Sequence, residues 1–245
     1  MKKNLSFFNI KTLAGRTFRH AVESPILYVV AIFYYGFVCG IFGFNYLDSN
    51  QASISGIGAL APWAMWIVIP ALTMGLISDE LRSGTFESMA TLPIRDWEIV
   101  LGKYFGVALL LIPLTIGFSI HGFIAKITTN HMSGLDWGGT LGMLLGLYFV
   151  GLSFAAMGLF ASSLSKSQVV SLIVGILFTS CFFFIGQFYT LLPGVEGRFA
   201  DFIGVLSHLN TLGRGVFDLR DFVYFGTLIY FFLYLTVQRL TTRRF

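Results

Sequence analysis

Charge is what this sequence of 245 residues has least of: charged residues make up 11%, against roughly 25% in ordinary soluble domains. Hydrophobic residues make up 56% and aromatics 17%. So few charges cannot cover a soluble surface, and the composition excludes a water-soluble globular enzyme. The net charge of +4 comes without a Lys/Arg cluster interleaved with aromatics, so no nucleic-acid surface is expected. Cysteine is nearly absent too. Cys39 and Cys181 lie inside apolar runs with no CxxC partner, which excludes a disulfide framework or a metal site and leaves two small packing residues.

Several chemical signatures are missing as well. There is no GxxxxGK[ST] to cradle nucleotide phosphates, no HExxH, no GxSxG and no pair of intramembrane aspartates. "LSKSQ" at 164–168 faintly resembles the LSGGQ signature of transport ATPases, but it lacks the glycines that admit a γ-phosphate and is a short turn between apolar runs. The chain is therefore expected to hold no catalytic residue, metal or cofactor of its own.

What is present is apolar length. A bilayer core of about 30 Å needs around 20 apolar residues in a helix. Runs at 26–47, 57–78, 104–125, 138–160, 168–191 and 222–238 approach or exceed that length, and none contains Asp, Glu, Lys or Arg. Lipid leaves exposed backbone groups unsatisfied, so each run must be helical; the alternation of a membrane barrel is missing. The expectation is an all-α integral membrane protein of one domain, 1–245, with six transmembrane helices. The sole ionisable side chain in the spans is His121, expected to be a hydrogen-bonded packing residue. That scarcity disfavours an ion-coupled secondary transporter, which places charge at the site it couples.

Basic residues set the orientation. Lys2, Lys3, Lys11, Arg16, Arg19, Arg82, Arg95, Lys103, Lys166, Arg239, Arg243 and Arg244 fall on one side; Lys126, Arg198, Arg214 and Arg220 fall on the other. Twelve against four puts both termini in the cytoplasm of a multi-pass protein. The basic N-terminus precedes an apolar run that has the length of a full span, so no cleaved leader is expected.

Before that run, 8–23 has an amphipathic helical pattern. Ile10, Leu13, Ala14, Phe18, Ala21 and Val22 share one face, and Lys11, Arg16, Arg19 and His20 lie elsewhere. This predicts a helix in the membrane interface that ends at Ser24-Pro25. Gly138, Gly142 and Gly146 recur every fourth residue, as do Gly36 and Gly40, so that helix backbones can approach closely. Packing inside the bundle and packing between two copies both remain open. At 192–221, Phe199, Phe202, Ile203, Val205 and Leu206 predict short helices that either dip into the outer leaflet or cap the bundle.

The polar exception is "SDELRSGTFESMATLPIRDWE" at 78–98, with five of the twelve acidic residues and a net charge of −3. Gly84 can cap a short helix over 85–91, with Glu87 reaching back and Phe86, Met89 and Ala90 on one face. Pro93 ends that helix, and Asp96 caps the next, with Glu98 in its first turn. A docking element for a cytoplasmic partner accounts for this density of charge better than a plain connector.

"PALTMGLISDELRSGTFESMATLPIRDWEIVLGKYF" resembles the segment joining the second and third spans in permeases of type-2 ABC exporters, especially the gliding-motility-associated subgroup. "LSHLNTLGRGVFDLRDFVYFGTLIYFFLYLTVQRL" and "SPILYVV" resemble the same subgroup, so the likeness covers nearly the whole chain; Gly75 departs from it, where a basic residue is expected. The resemblance implies a bacterial inner-membrane permease with an elbow helix (8–23), a cytoplasmic coupling helix (within 79–98) and re-entrant outer helices (192–221). Two permease copies, or one and a paralogue, would join two cytoplasmic ABC ATPase subunits that hold ATP and Mg. By the same carry-over Asp79, Glu80, Arg82, Gly84, Thr85, Phe86, Glu87 and Pro93 would meet the ATPase, and Phe199, Phe202, Arg214, Asp218 and Arg220 would belong to the exit gate. The subgroup is also associated with membrane partners that carry periplasmic domains. A membrane scaffold with a regulatory ATPase contact is the other reading.

Overall fold

A computed structural model describes residues 2–49, 58, 60–86, 94–128, 137–190 and 195–243. Glu87 and Pro93 of the polar insert lie outside these residues, as do the side chains of His121 and Phe199. Ten α-helices are described: α1 (Lys2–Glu23), α2 (Pro25–Ser49), α3 (Ala61–Thr73), α4 (Gly75–Ser83), α5 (Asp96–Thr128), α6 (Trp137–Leu164), α7 (Gln168–Phe184), α8 (Val195–Ile203), α9 (Val205–Gly213) and α10 (Leu219–Thr242). A 3-10 turn, Ile185–Thr190, follows α7, and no strand occurs among the described residues.

Five stretches are long and apolar enough to cross a membrane: Ala61–Ser83, Asp96–Ile120, Gly138–Leu164, Gln168–Gln187 and Leu219–Thr242. A sixth comes from α1 and α2, which pass together but bend by 73° at Ser24. The bend follows from the local sequence. Pro25 opens α2, where its missing N–H costs nothing, and the Ser24 hydroxyl accepts from the Ile26 N–H at 3.3 Å. Among the described residues the six apolar runs are thus helical but for turns at Leu60 and Met74, and two departures stand out. The second span breaks at Met74, and α5 begins at Asp96, well before the apolar run at 104.

α6 is the central element, with α3, α4, α5, α7, α9 and α10 packed around it. Its Leu147, Val150, Phe154 and Met157 recur at spacings of three and four and are fully buried. Two pairs of glycines shape the bundle. On α5, a Cβ at Gly102 would lie 2.5 Å from Leu13 Cβ, and one at Gly106 would lie 2.6 Å from Thr17 Cβ. These gaps seat α1 along α5 with Ala14 buried and Lys11, Arg16, Arg19 and His20 exposed. On α6, a Cβ at Gly142 would run into the Leu212 carbonyl, and one at Gly146 would lie 2.6 Å from Leu209 Cδ1. These two glycines, with Gly138 backed on Gly215, pack inside the bundle against α9 and the turn after it. Gly36 and Gly40 have nothing within 4 Å and lie on an open face.

The cysteines correct an expectation. Cys39 and Cys181 form no disulfide and are exposed on the bundle surface rather than packed within it. In lipid that surface is as apolar as the core, so hydrophobicity alone does not choose between the two sides.

Both termini and the polar insert meet at one end. Asn9 Nδ2 donates to Glu98 Oε2 at 3.1 Å, Thr241 Oγ1 donates to Asp96 Oδ2 at 3.2 Å, and Arg243 donates to the Leu164 carbonyl at 3.1 Å. α8 and α9 occupy the opposite end.

Candidate functional site

α4 carries the first residues of the polar insert, and the way it is held defines the site. Pro70 cannot donate a backbone hydrogen bond, and one turn later the second span breaks at Met74. Ser162 of α6 enters the break. Its hydroxyl donates to the Met74 carbonyl at 2.8 Å and accepts from the N–H groups of Ile77 and Ser78, each at 3.0 Å. A single fully buried side chain therefore satisfies three backbone groups that a continuous helix would pair internally.

The neighbours fit tightly around this break. A Cβ at Gly158 would strike the Thr73 hydroxyl, and one at Gly175 would lie 3.2 Å from Pro70 Cβ. Thr73 itself donates back to the Ile69 carbonyl at 3.0 Å.

Two further contacts fasten α4. Lys103 of α5, 6% exposed, donates to the Leu76 carbonyl and to Glu80 Oε1, each at 2.6 Å. Gln168 at the start of α7 donates its amide to both oxygens of Asp79, at 2.6 and 2.7 Å. α4 is thus tied to α5, α6 and α7 by three different side chains. Side chains from three helices hold α4 in place from three directions.

The described residues of the predicted ATPase-contact set line up along this element. Glu80 faces Lys103, and Asp79 faces Gln168 while its side chain stays partly exposed. Arg82 points outward, 3.6 Å from Asp79 on the exposed side. Phe86 is 5% exposed and joins the core, which anchors the first residues of the insert to the bundle. Thr85 shares a 2.9 Å hydrogen bond with Ser83.

One capping expectation gains a second side and one is corrected. Gly84, with φ of 73°, is the left-handed residue that terminates α4, a conformation glycine adopts without strain, and Thr85 and Phe86 directly after it are helical again. Asp96 does not cap α5; it is the helix's first residue, and the Glu98 carboxylate accepts from the Arg95 N–H at 3.3 Å. Gly75 also acquires a reason. A Cβ there would lie 2.7 Å from Asp79 Oδ2, so a side chain would displace the Asp79–Gln168 pair.

At the opposite end, α8 and α9 meet at Gly204, with Val205, Leu209 and Leu212 buried against α6. Phe202 is largely exposed, and Arg214 and Arg220 are exposed as well. Asp218 caps α10, accepting from the Arg220 N–H at 2.9 Å. The strongest feature here was not foreseen from sequence. His208 Nδ1 lies 2.6 Å from Asp221 Oδ1, its Nε2 lies 2.9 Å from the Phe202 carbonyl, and its ring stacks on Tyr224 at 4.0 Å.

Lys103, Ser162, Gln168 and Asp221 were missed because each sits at the margin of an apolar run, where a polar residue reads as loop; His208 lies within the outer segment 192–221, where nothing in the local pattern names its partner. Gln168 ends the very "LSKSQ" turn set aside as uninformative. Among the described residues no three His, Cys, Asp or Glu side chains gather as a metal site.

A comparison with curated proteins returned no match. Residues 3–206 match the family model described as ABC-2 family transporter protein. That span takes in α1, the broken second span, the polar insert, α5 to α8 and the first residues of α9. The bent α1–α2 pair, the five further membrane-length helices and this match over most of the chain agree: the chain is a multi-pass membrane protein that belongs to the ABC-2 transporter family, an ABC transporter permease.

Proposed function

We propose that this permease is the membrane half of an ATP-driven exporter, coupled through residues 79–98 to a cytoplasmic ATPase on a separate chain. The observation that carries the reading is the triple attachment of α4 to α5, α6 and α7 through Lys103, Ser162 and Gln168. A segment pushed or pulled at Gly84–Phe86 would move three spans together rather than bend alone. A partner that favours one arrangement of the insert then favours one arrangement of the bundle.

In this reading α1 is the elbow helix, resting in the interface with its basic face towards headgroups. The 12-to-4 distribution of basic residues puts both termini in the cytoplasm and α8–α9 at the outer leaflet of a bacterial inner membrane. α8, α9, Phe199, Phe202, Arg214, Asp218 and Arg220 then belong to the exit. A second copy or a paralogue completes the pathway, and ATP with Mg binds the partner. The two quoted stretches favour the gliding-motility-associated subgroup and its partners with periplasmic domains.

The test is reconstitution of the permease with its ATPase in liposomes. Gly84→Pro, impossible at a φ of 73°, should abolish stimulation of ATP turnover while the bundle still folds. Assembly and turnover at wild-type levels in both Gly84→Pro and Glu87→Arg would overturn the coupling assignment. Assembly with turnover insensitive to every transmembrane change would favour the scaffold reading.

A further inference from the structure

A cavity of about 320 Å³ lies between α1 and the bundle at the end that carries both termini. One part of its wall is apolar: Leu13, Ala21, Leu27, Ala71, Leu72 and Leu76. The other is polar, and its composition is unequal in available charge. The two carboxylates in the wall are already engaged. Asp79 holds Gln168 with both oxygens; Glu80 holds Lys103 with Oε1, while its Oε2 is closed off from solvent. Arg16 has no ion-pair partner among the described residues, and it stands close enough to Lys103 for the two cations to repel. His20 and Thr17 add donors beside it on the same helix.

An exposed apolar stripe adjoins the cavity. Ile26 lines the cavity, and from Ile26 the stripe runs along α2 at spacings of three and four: Val29, Phe33, Gly36, Gly40. Ile26, Val29 and Phe33 are exposed at 43%, 66% and 50%, and the two glycines leave the stripe without side chains where it continues. Its length is about 21 Å at 1.5 Å per residue, comparable to the roughly 15 Å depth of one leaflet of a 30 Å core. An apolar helix face thus leads away from a pocket whose Arg16 guanidinium has no ion-pair partner among the described residues.

We propose that this cavity binds a glycerophospholipid, its phosphodiester on Arg16 with His20 and Thr17 beside it, and an acyl chain along Ile26, Val29, Phe33, Gly36 and Gly40. A planar guanidinium suits a phosphate, two N–H groups to two oxygens. Bound there, the lipid bridges α1 to α4 beside the Lys103–Glu80 and Gln168–Asp79 contacts. The proposal needs only that the chain crosses a membrane, so it stands or falls apart from the ATPase assignment.

The experiment uses the purified full-length chain in detergent, with thermal stability and lipid retained in native mass spectrometry as readouts. Three probes separate the sources of the chemistry: phosphatidylglycerol, a diacylglycerol without phosphate, and inorganic phosphate without chains. Phosphatidylglycerol should stabilise and be retained; the other two should not. Arg16→Gln should weaken retention about tenfold or more, since the two charge-assisted hydrogen bonds of the guanidinium are lost. Ala21→Phe, which fills the apolar side, should weaken it similarly with Arg16 intact. Arg239→Gln removes an exposed cation outside the cavity and should leave retention unchanged. Equal stabilisation by diacylglycerol or by inorganic phosphate, or unaltered retention in Arg16→Gln, would overturn the site.

Discussion

His208 Nδ1 lies 2.6 Å from Asp221 Oδ1, with both side chains less than a tenth exposed, inside a bundle otherwise poor in charge. The pair ties α9 to the first turn of α10, and the Phe202 carbonyl on Nε2 ties in the end of α8. Removing one member of a buried pair strands the other, at a cost of about 3–5 kcal/mol. Asp221→Ala should therefore lower the thermal stability of the permease far more than Asp218→Ala, which removes only a helix cap worth about 1 kcal/mol. A His208→Ala/Asp221→Ala double-mutant cycle should show coupling well above 1 kcal/mol. Additive losses in that cycle would mean that the contact does not stabilise the outer helices.

Ser162 offers a second test. Ser162→Ala leaves the Ile77 and Ser78 N–H groups without their side-chain acceptor, while the Met74 carbonyl keeps the Ser78 hydroxyl at 2.6 Å. The expected loss is roughly 1–3 kcal/mol for unsatisfied buried groups, read by chemical or thermal unfolding. Thr242→Ala, which removes an exposed hydroxyl bonded to the Gln238 carbonyl, should change little.

Lys103 and Glu80 should behave as a unit. Lys103→Met removes the cation that holds Glu80 and the Leu76 carbonyl, and its cost should be a few kcal/mol. Glu80→Gln should recover part of that loss in the double variant, because the stranded carboxylate is then gone. If the double variant is as unstable as the sum of the singles, the two side chains act independently.

The glycines divide into two groups that stability measurements can separate. Gly142→Ala drives a Cβ into the Leu212 carbonyl and should destabilise by about 1–3 kcal/mol or more. Gly36→Ala and Gly40→Ala meet nothing within 4 Å and should leave monomer stability unchanged. Gly84→Ala lies between: space is open, but φ of 73° costs a non-glycine residue about 1–2 kcal/mol.

Much of the fold was legible in the sequence because lipid imposes a simple rule. A run of apolar residues that must satisfy its own backbone has to be a helix, and the described residues of the six apolar runs are helical almost throughout. The amphipathic face of α1 was equally readable, since the alternation of Leu13, Ala14 and Phe18 with Lys11, Arg16 and Arg19 follows from helical geometry alone. The polar insert was recognisable by contrast with its surroundings.

Capping and partnership were not legible. That Gly84 ends α4 was not foreseen; only its left-handed backbone, between two helical segments, shows it. Gly142 and Gly36 carry the same spacing signal, and only the position of α9 shows which one is filled.

The sequence by itself determined a helical, multi-span protein with a charged insert on the basic side, because burial of backbone and the cost of charge in lipid are local requirements. The tertiary structure decided what holds that insert: Lys103, Ser162 and Gln168 come from three different spans and converge on α4. That convergence depends on how helices pack, through Pro70, Gly158 and Gly175, and packing partners far apart in the chain leave no period or motif in the sequence.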